Sequence, residues 1–331
     1  MSLVETIVPQ MAVYRQQFHT DNDVDWLPYL MFFHPKGYRS GVVNTDQLGF
    51  RVSRRDSSAY SVANSTGLSS ARLIAGNSVA FGIGASSDST TIASRLMAHD
   101  ERKEPWLNLG GRAFNSAQEL ILLTLYRHAL PKIDEIVLFS GANNLLLARL
   151  PENHIQEHGA FFNSTRFFDA LEERASEGGF GFFGRPKKSV PRDNERSLDQ
   201  RIAFAAELTL RHLAGWKTIA ADMGSKLTYV LQPMSGWVRD KGCGEEEALF
   251  SELARLHRYT TISKDVLQRD VCAKYAALLE LGAREKGIPF LNMSSALRAR
   301  IDEEQWLFID HTHLTDVGYD LVALSILERT Q

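Results

Sequence analysis

Arg72-Leu73-Ile74-Ala75-Gly76-Asn77-Ser78 is the stretch from which the fold is read. A short apolar run closed by Gly-Asn reads as a buried strand that stops in a tight turn and delivers a serine to the start of a helix. Further apolar runs repeat the pattern at Trp106–Leu109, Glu135–Ser140, Leu227–Pro233 and Pro289–Met293. Helical spacing fills the intervals. It runs over Ser89–His99, with Ser89 or Thr90 as N-cap, and from a Ser116 cap to a stop at Pro131. It continues over Leu198–Met223, from Ser263 to a stop at Gly287, and from a Thr315 cap to the end. Five strands interleaved with helices specify an α/β fold whose parallel sheet is covered on both faces. Ligands of such sheets bind beyond the carboxyl ends of the strands. Ser78, Gly110, Ala113, Asn143 and Gln232 all follow strand ends and are candidates for one crevice, with Gly110 and Gln232 as substrate-binding positions.

Outside this alternation lie two other regions. Residues 1–67 are polar and aromatic without a sustained period, with Pro28–Phe33 as a strand and Gly41–Arg51 as strand, turn, strand. They read as a hairpin-like extension packed on a main domain, 68–331. Residues 151–196 are a long insertion containing Gly178-Gly179-Phe180-Gly181-Phe182-Phe183-Gly184. Its phenylalanines suit a lid with an apolar underside, a passive surface loop being the alternative.

Composition narrows the function classes. The chain has 331 residues, 44% hydrophobic and 23% charged, with a net charge of −3. That balance argues against a nucleic-acid binder, and the basic run Arg185-Pro186-Lys187-Lys188 is short. No stretch approaches a membrane span, and the N-terminus lacks the basic and apolar regions of a signal peptide. Cys243 and Cys272 form no CxxC and no zinc pattern, so no metal or cofactor is expected. Two free thiols suit the cytoplasm.

The chemistry lies in two stretches far apart in sequence, Gly76-Asn77-Ser78 and Asp310-His311-Thr312-His313. Serine becomes a nucleophile when a base takes its proton, and histidine is the better base when a carboxylate fixes its tautomer. Ser78, His313 and Asp310 supply these groups. A nucleophile also needs donors for the developing oxyanion. The Ser78 amide, the glycine-rich loop Asn108–Ala113 and the Asn143 side chain are placed to provide them.

These blocks resemble the SGNH (GDSL-like) hydrolase superfamily over residues 68–331 without the insertion. The family's Gly-Asp-Ser appears as Gly76-Asn77-Ser78. Its second block is matched by Asn108-Leu109-Gly110 through Ala113, where alanine replaces the usual glycine. Its Gly-x-Asn-Asp appears as Gly141-Ala142-Asn143-Asn144, and its Asp-x-x-His-Leu-Thr is matched by Asp310–Thr315. The resemblance implies a flavodoxin-like three-layer α/β/α sandwich with a five-stranded parallel sheet. It implies Ser78 as nucleophile, His313 as base then acid, Asp310 as its orienter, and an oxyanion hole from Ser78 N–H, Ala113 N–H and Asn143. It further implies release of acetyl or another short acyl group from a small or carbohydrate ester, without cofactor. Asn44–Arg51 also resembles a lead-in found in some bacterial members acting on carbohydrate, against which stands a hairpin that completes the core. An O-acyltransferase would use the same residues, and a non-catalytic ligand-binding protein is the alternative from a different class. An α/β-hydrolase elbow is disfavoured by Ala80, a dinucleotide fingerprint by Ser87, and a metal site by the lack of a second cluster beside His311.

Overall fold

The computed structural model describes residues 3–18, 25–150, 152–162, 196–255 and 264–330. Nine strands are described in chain order: β1 (Asp25–Leu27), β2 (Met31–Phe33), β3 (Ser53–Arg55), β4 (Ser58–Tyr60), β5 (Ala71–Gly76), β6 (Trp106–Gly110), β7 (Ile133–Ser140), β8 (Lys226–Leu231) and β9 (Phe290–Asn292). The last five form one parallel sheet in the order β6-β5-β7-β8-β9. Renumbered within the sheet this is 2-1-3-4-5, the flavodoxin-like order expected from the sequence. Its winding reverses between β5 and β7, and the crevice that such a reversal opens lies at their carboxyl ends.

Side chains alternate across the sheet, as strand geometry dictates. Leu73, Ile136, Leu138, Tyr229 and Leu231 face one core, which contains Leu122, Trp216, Tyr275 and Leu279. These come from helices Ser116–Tyr126, Leu198–Asp222 and Arg269–Glu285. Ile74, Val137, Phe139 and Val230 face the other core, with Leu96, Leu297, Val322 and Ile326. Their helices are Ile92–His99, Met293–Arg298 and Asp316–Thr330. The result is a three-layer α/β/α sandwich.

Several boundaries differ from the sequence reading, each for a local reason. Ser89 and Thr90 lie in a 3₁₀ turn, and Thr91 caps the helix by accepting from Ser94 N–H. Asn115 rather than Ser116 caps the next helix, in a capping box with Gln118. That helix ends at Tyr126 and a 3₁₀ turn fills the space before Pro131. The helix sought from Ser263 begins at Arg269, with Gln268 as its N-cap. Gly41–Arg51 holds no paired strands, only an isolated bridge between Thr45 and Arg51. The hairpin of this region is β3–β4. Helices Leu3–Ile7, Met11–Gln17 and Gly244–Arg255 escaped the sequence reading.

Residues before β5 share the main core. Leu30, Phe32, Phe33, Phe50 and Val62 belong to the same buried cluster as β5 and β7, and Tyr14, Phe18 and Val43 pack on Phe81 and Ile83. Most of the proposed lid, residues 163–195, lies outside the described residues.

Candidate active site

From Ala71 to Ala85 every residue is buried except Ser78. The geometry of the turn explains why. Gly76 has φ +145°, and a Cβ there would collide with the Phe139 carbonyl oxygen of the neighbouring strand, so only glycine lets β5 end this close to β7. Asn77 then caps the helix Ser78–Phe81, its side chain accepting from Val79 N–H at 3.1 Å. The Asn77 side-chain amide donates to Gln232 Oε1 at the end of β8. Ser78 sits in the first turn, where backbone N–H groups have no partner within the helix.

His313 arrives from the opposite end of the chain. The Ser78 hydroxyl and His313 Nε2 are 2.9 Å apart, and His313 Nδ1 lies 2.6 Å from Asp310 Oδ2. A carboxylate only accepts, so the ring proton is on Nδ1 and Nε2 is left to accept from Ser78. Asp310 Oδ1 accepts from Thr312 N–H at 2.8 Å, from His313 N–H at 2.7 Å and from the Thr312 hydroxyl at 3.1 Å. Desolvation alone would raise the Asp310 carboxyl. The charge and hydrogen bonds of His313, with the Thr312 amide, outweigh it and hold the carboxyl below its ordinary range. The run Trp306–Ile309 before Asp310 lies outside the sheet; it forms an isolated bridge from Phe308 to Leu314, and Leu307 N–H and Phe308 N–H donate to Glu246.

Two loops close on the same end of the sheet. Gly111 N–H donates to Gly76 O at 2.8 Å, tying the loop after β6 to the serine turn. Ala113 takes φ +54°, the left-handed region that favours glycine. The Asn143 amide donates to Phe114 O at 2.7 Å and has a second N–H to offer. Asn144 accepts from Ser116 N–H at 3.2 Å and donates to Ser116 Oγ at 2.5 Å and Thr209 Oγ1 at 2.7 Å.

Gly110 and Gln232 are corrected as substrate-binding positions. Gly110 is buried where a Cβ would strike the Phe81 backbone, and Gln232 is 1% exposed with its side chain engaged by Asn77. Gln232 instead braces the Asn77 turn, and Gly110 lets β6 approach the Ser78 helix closely. His311 is a structural neighbour, its Nδ1 2.9 Å from Ser235 Oγ and its ring 4.4 Å from that of Phe250. Among the described residues no group of three or more metal-ligating side chains gathers, and no helix is long and apolar enough to cross a membrane.

No family model matches the sequence, and neither does any curated protein. The chain does show likenesses in fold to solved structures. It is similar to a member of the lipolytic protein G-D-S-L family from Veillonella parvula, at 12% identity and TM-score 0.43, over 78% of this chain and 97% of that one. A GDSL-like lipase from Bacteroides thetaiotaomicron matches at 12% identity and TM-score 0.41, over 78% and 86%. A catalytic mutant of an acetylxylan esterase from Geobacillus stearothermophilus matches at 11% identity and TM-score 0.42, over 81% and 95%.

Proposed function

We propose that the protein is a serine esterase that removes acetyl or another short acyl group from a small or carbohydrate substrate through an acyl-enzyme. The observation that carries this reading is the hydrogen-bonded line Ser78 Oγ, His313 Nε2, His313 Nδ1, Asp310 Oδ2, with spacings of 2.9 and 2.6 Å at its two joints. In the first half-reaction Ser78 Oγ attacks the ester carbonyl carbon while its proton passes to His313 Nε2. The oxyanion takes hydrogen bonds from Ser78 N–H, Ala113 N–H and the free N–H of Asn143. Collapse breaks the bond to the alcohol, which leaves with the proton held on His313. Water then gives its proton to Nε2, attacks the acyl-serine, and the second collapse returns that proton to Ser78. Asp310 stays ionised throughout and stabilises the imidazolium.

The test combines a fluorophosphonate probe with p-nitrophenyl esters of graded acyl length. Label on Ser78, lost in Ser78→Ala, with kcat/KM highest for the shortest acyl groups, is expected. Ser78→Ala and His313→Ala should each lower kcat by roughly 10⁴–10⁶-fold, and the double variant should be little worse, because the groups act as a unit. Additive losses, or a wild-type protein inert to every ester and to the probe, would sink the reading.

A further inference from the structure

His34 lies at the end of β2, in the segment that precedes the main sheet, and is 0% exposed. Its Nδ1 is 3.0 Å from Gly49 O, and its Nε2 is 3.2 Å from Arg112 N. A carbonyl oxygen can only accept and a backbone N–H can only donate. These two partners therefore fix the ring as the neutral tautomer, with the proton on Nδ1 and an open lone pair on Nε2. The ring is packed between Phe33 at 4.4 Å and Phe81 at 4.0 Å between centroids. Phe81 is the last residue of the Ser78 helix. Arg112 immediately precedes Ala113, and its guanidinium donates to Phe33 O at 3.0 Å. One buried imidazole thus touches both the helix that carries the serine and the loop that carries Ala113.

We propose that His34 is a positioning residue for the reaction: by accepting from Arg112 N–H while packed on Phe81, it sets the Ala113 amide at its working distance from Ser78. This rests on the reading of Ala113 N–H as an oxyanion donor. Ala113 is itself in the left-handed region, a conformation disfavoured for a residue with a Cβ, so something beyond local preference must hold it. The bond to Arg112 N–H, one residue earlier, is such a restraint. An imidazolium could not accept it. Burial and the neighbouring charges of Arg112 and Arg51 keep the ring from protonating, against the opposing pull of the Gly49 carbonyl.

Two substitutions separate the two ring nitrogens. His34→Gln places an amide oxygen near the Nε2 position and can still accept from Arg112. His34→Asn reproduces the Nδ1 side, keeps a donor for Gly49 and cannot reach Arg112. Steady-state kinetics on an ester that the wild-type protein hydrolyses should show His34→Asn lowering kcat on the order of 10²-fold with KM within about twofold. His34→Gln should recover most of that loss, while thermal melting shows both variants folded. Equal losses in the two variants, or wild-type kcat in both, would overturn the proposal. If neither variant folds, ¹⁵N NMR of the wild-type imidazole decides. Protonated Nδ1 with unprotonated Nε2 supports the proposal, and the reverse tautomer or an imidazolium overturns it. Absence of fluorophosphonate label on Ser78 in the wild-type protein would overturn the esterase reading and this proposal with it. Labelling of Ser78 with unaltered kinetics in both variants would overturn this proposal alone.

Discussion

Asn143 and Asn144 are adjacent in sequence and differ in what they hold. Asn143 fixes one N–H on Phe114 O, and under the proposed function the other would face the charge that develops on the substrate oxygen. Such a donor stabilises the transition state more than the bound ester. Asn143→Ala should therefore lower kcat by ~10²–10³-fold with KM nearly constant. A raised KM with kcat unchanged would make it a substrate-binding residue. Asn144 instead joins three elements, and the family pattern alone would permit aspartate there. The structure disfavours it. Ser116 N–H must face Oδ1, so the second atom of the group faces Ser116 Oγ and Thr209 Oγ1, and the Thr209 proton goes to Ala205 O. A carboxylate would place an unpaired charge at a 6% exposed position. Asn144→Asp should cost about 1–3 kcal/mol in a urea titration, with kcat changed less than in Asn143→Ala. The placement of Ser78 and of Asp310 was legible because each follows an apolar run. Gln232 misled for the same reason: a position past a strand end says where a residue is, but not which way its amide turns.

Glu119 supplies a pH effect at the same scale. It is 1% exposed, and both carboxyl oxygens face the Ser140 hydroxyl, at 2.8 and 2.6 Å. Burial pushes its carboxyl from an ordinary 4.5 up to about 8, against the opposing Ser140 hydrogen bond. The folded chain thus holds a proton that the unfolded chain has lost. Stability from this group is present below about 4.5 and declines as pH rises toward about 8. Glu119→Gln keeps the shape and the Ser140 bond but has nothing to ionise. It should flatten the fall in stability across that window and exceed the wild type near pH 8, by denaturant titration at several pH values. A variant with the wild-type slope would show that Glu119 does not titrate there.

At the scale of elements, the segments that proved readable are those with one dominant local signal. Four of the five sheet strands are apolar runs ended by Gly, Ser or Pro, the fifth follows Gly287 and Pro289, and the long helix Leu198–Asp222 has both its period and a Ser197 capping box. The segments missed have no such signal. Gly244–Arg255 opens on three consecutive glutamates and buries only Glu246 and Leu249, so its period is weak. The Gly41–Arg51 segment alternates like a hairpin, yet its order comes from two buried charges: Asp46, which accepts from Leu48 N–H and Phe50 N–H, and Arg51. Arg51 is 0% exposed. It pairs with Asp88 at 3.2 Å, bonds Tyr14 at 2.8 Å, and donates to Gly82 O at 2.7 Å, where the Ser78 helix ends. No periodicity announces such a residue. Replacing Arg51 leaves the buried Asp88 carboxylate with only the half-exposed Arg54 at 3.6 Å as counter-charge, so Arg51→Met should cost roughly 3–5 kcal/mol. Arg51→Met with Asp88→Asn should recover part of that. Urea unfolding of the three variants measures the coupling, and additive losses would mean that the two side chains act independently.

For the whole molecule, the first 67 residues are bound up with the main sheet. They place Phe33, Phe50 and Val62 in the core that lies under β5. They also bring Tyr14 and Arg51 to Gly82 O, and His34 to Arg112 N–H. Deleting them would strip apolar cover from one face of the sheet and leave buried carbonyl and amide groups without partners, each costing about 1–3 kcal/mol. Several such losses match or exceed the typical stability of a domain, about 5–15 kcal/mol. A chain of residues 68–331 should therefore fail to melt cooperatively and should show no hydrolysis and no Ser78 labelling. Removal of residues 1–9 alone is a milder change. It takes away Val4 and Val8, which pack on Leu249 and on Ile309 beside Asp310. That shorter chain should stay folded with a lowered Tm and with Ser78 still reactive. Calorimetry and probe labelling of both truncations make the comparison. A cooperative, fully active 68–331 chain would show that the sheet domain assembles its own site, and that the contacts from residues 1–67 are dispensable.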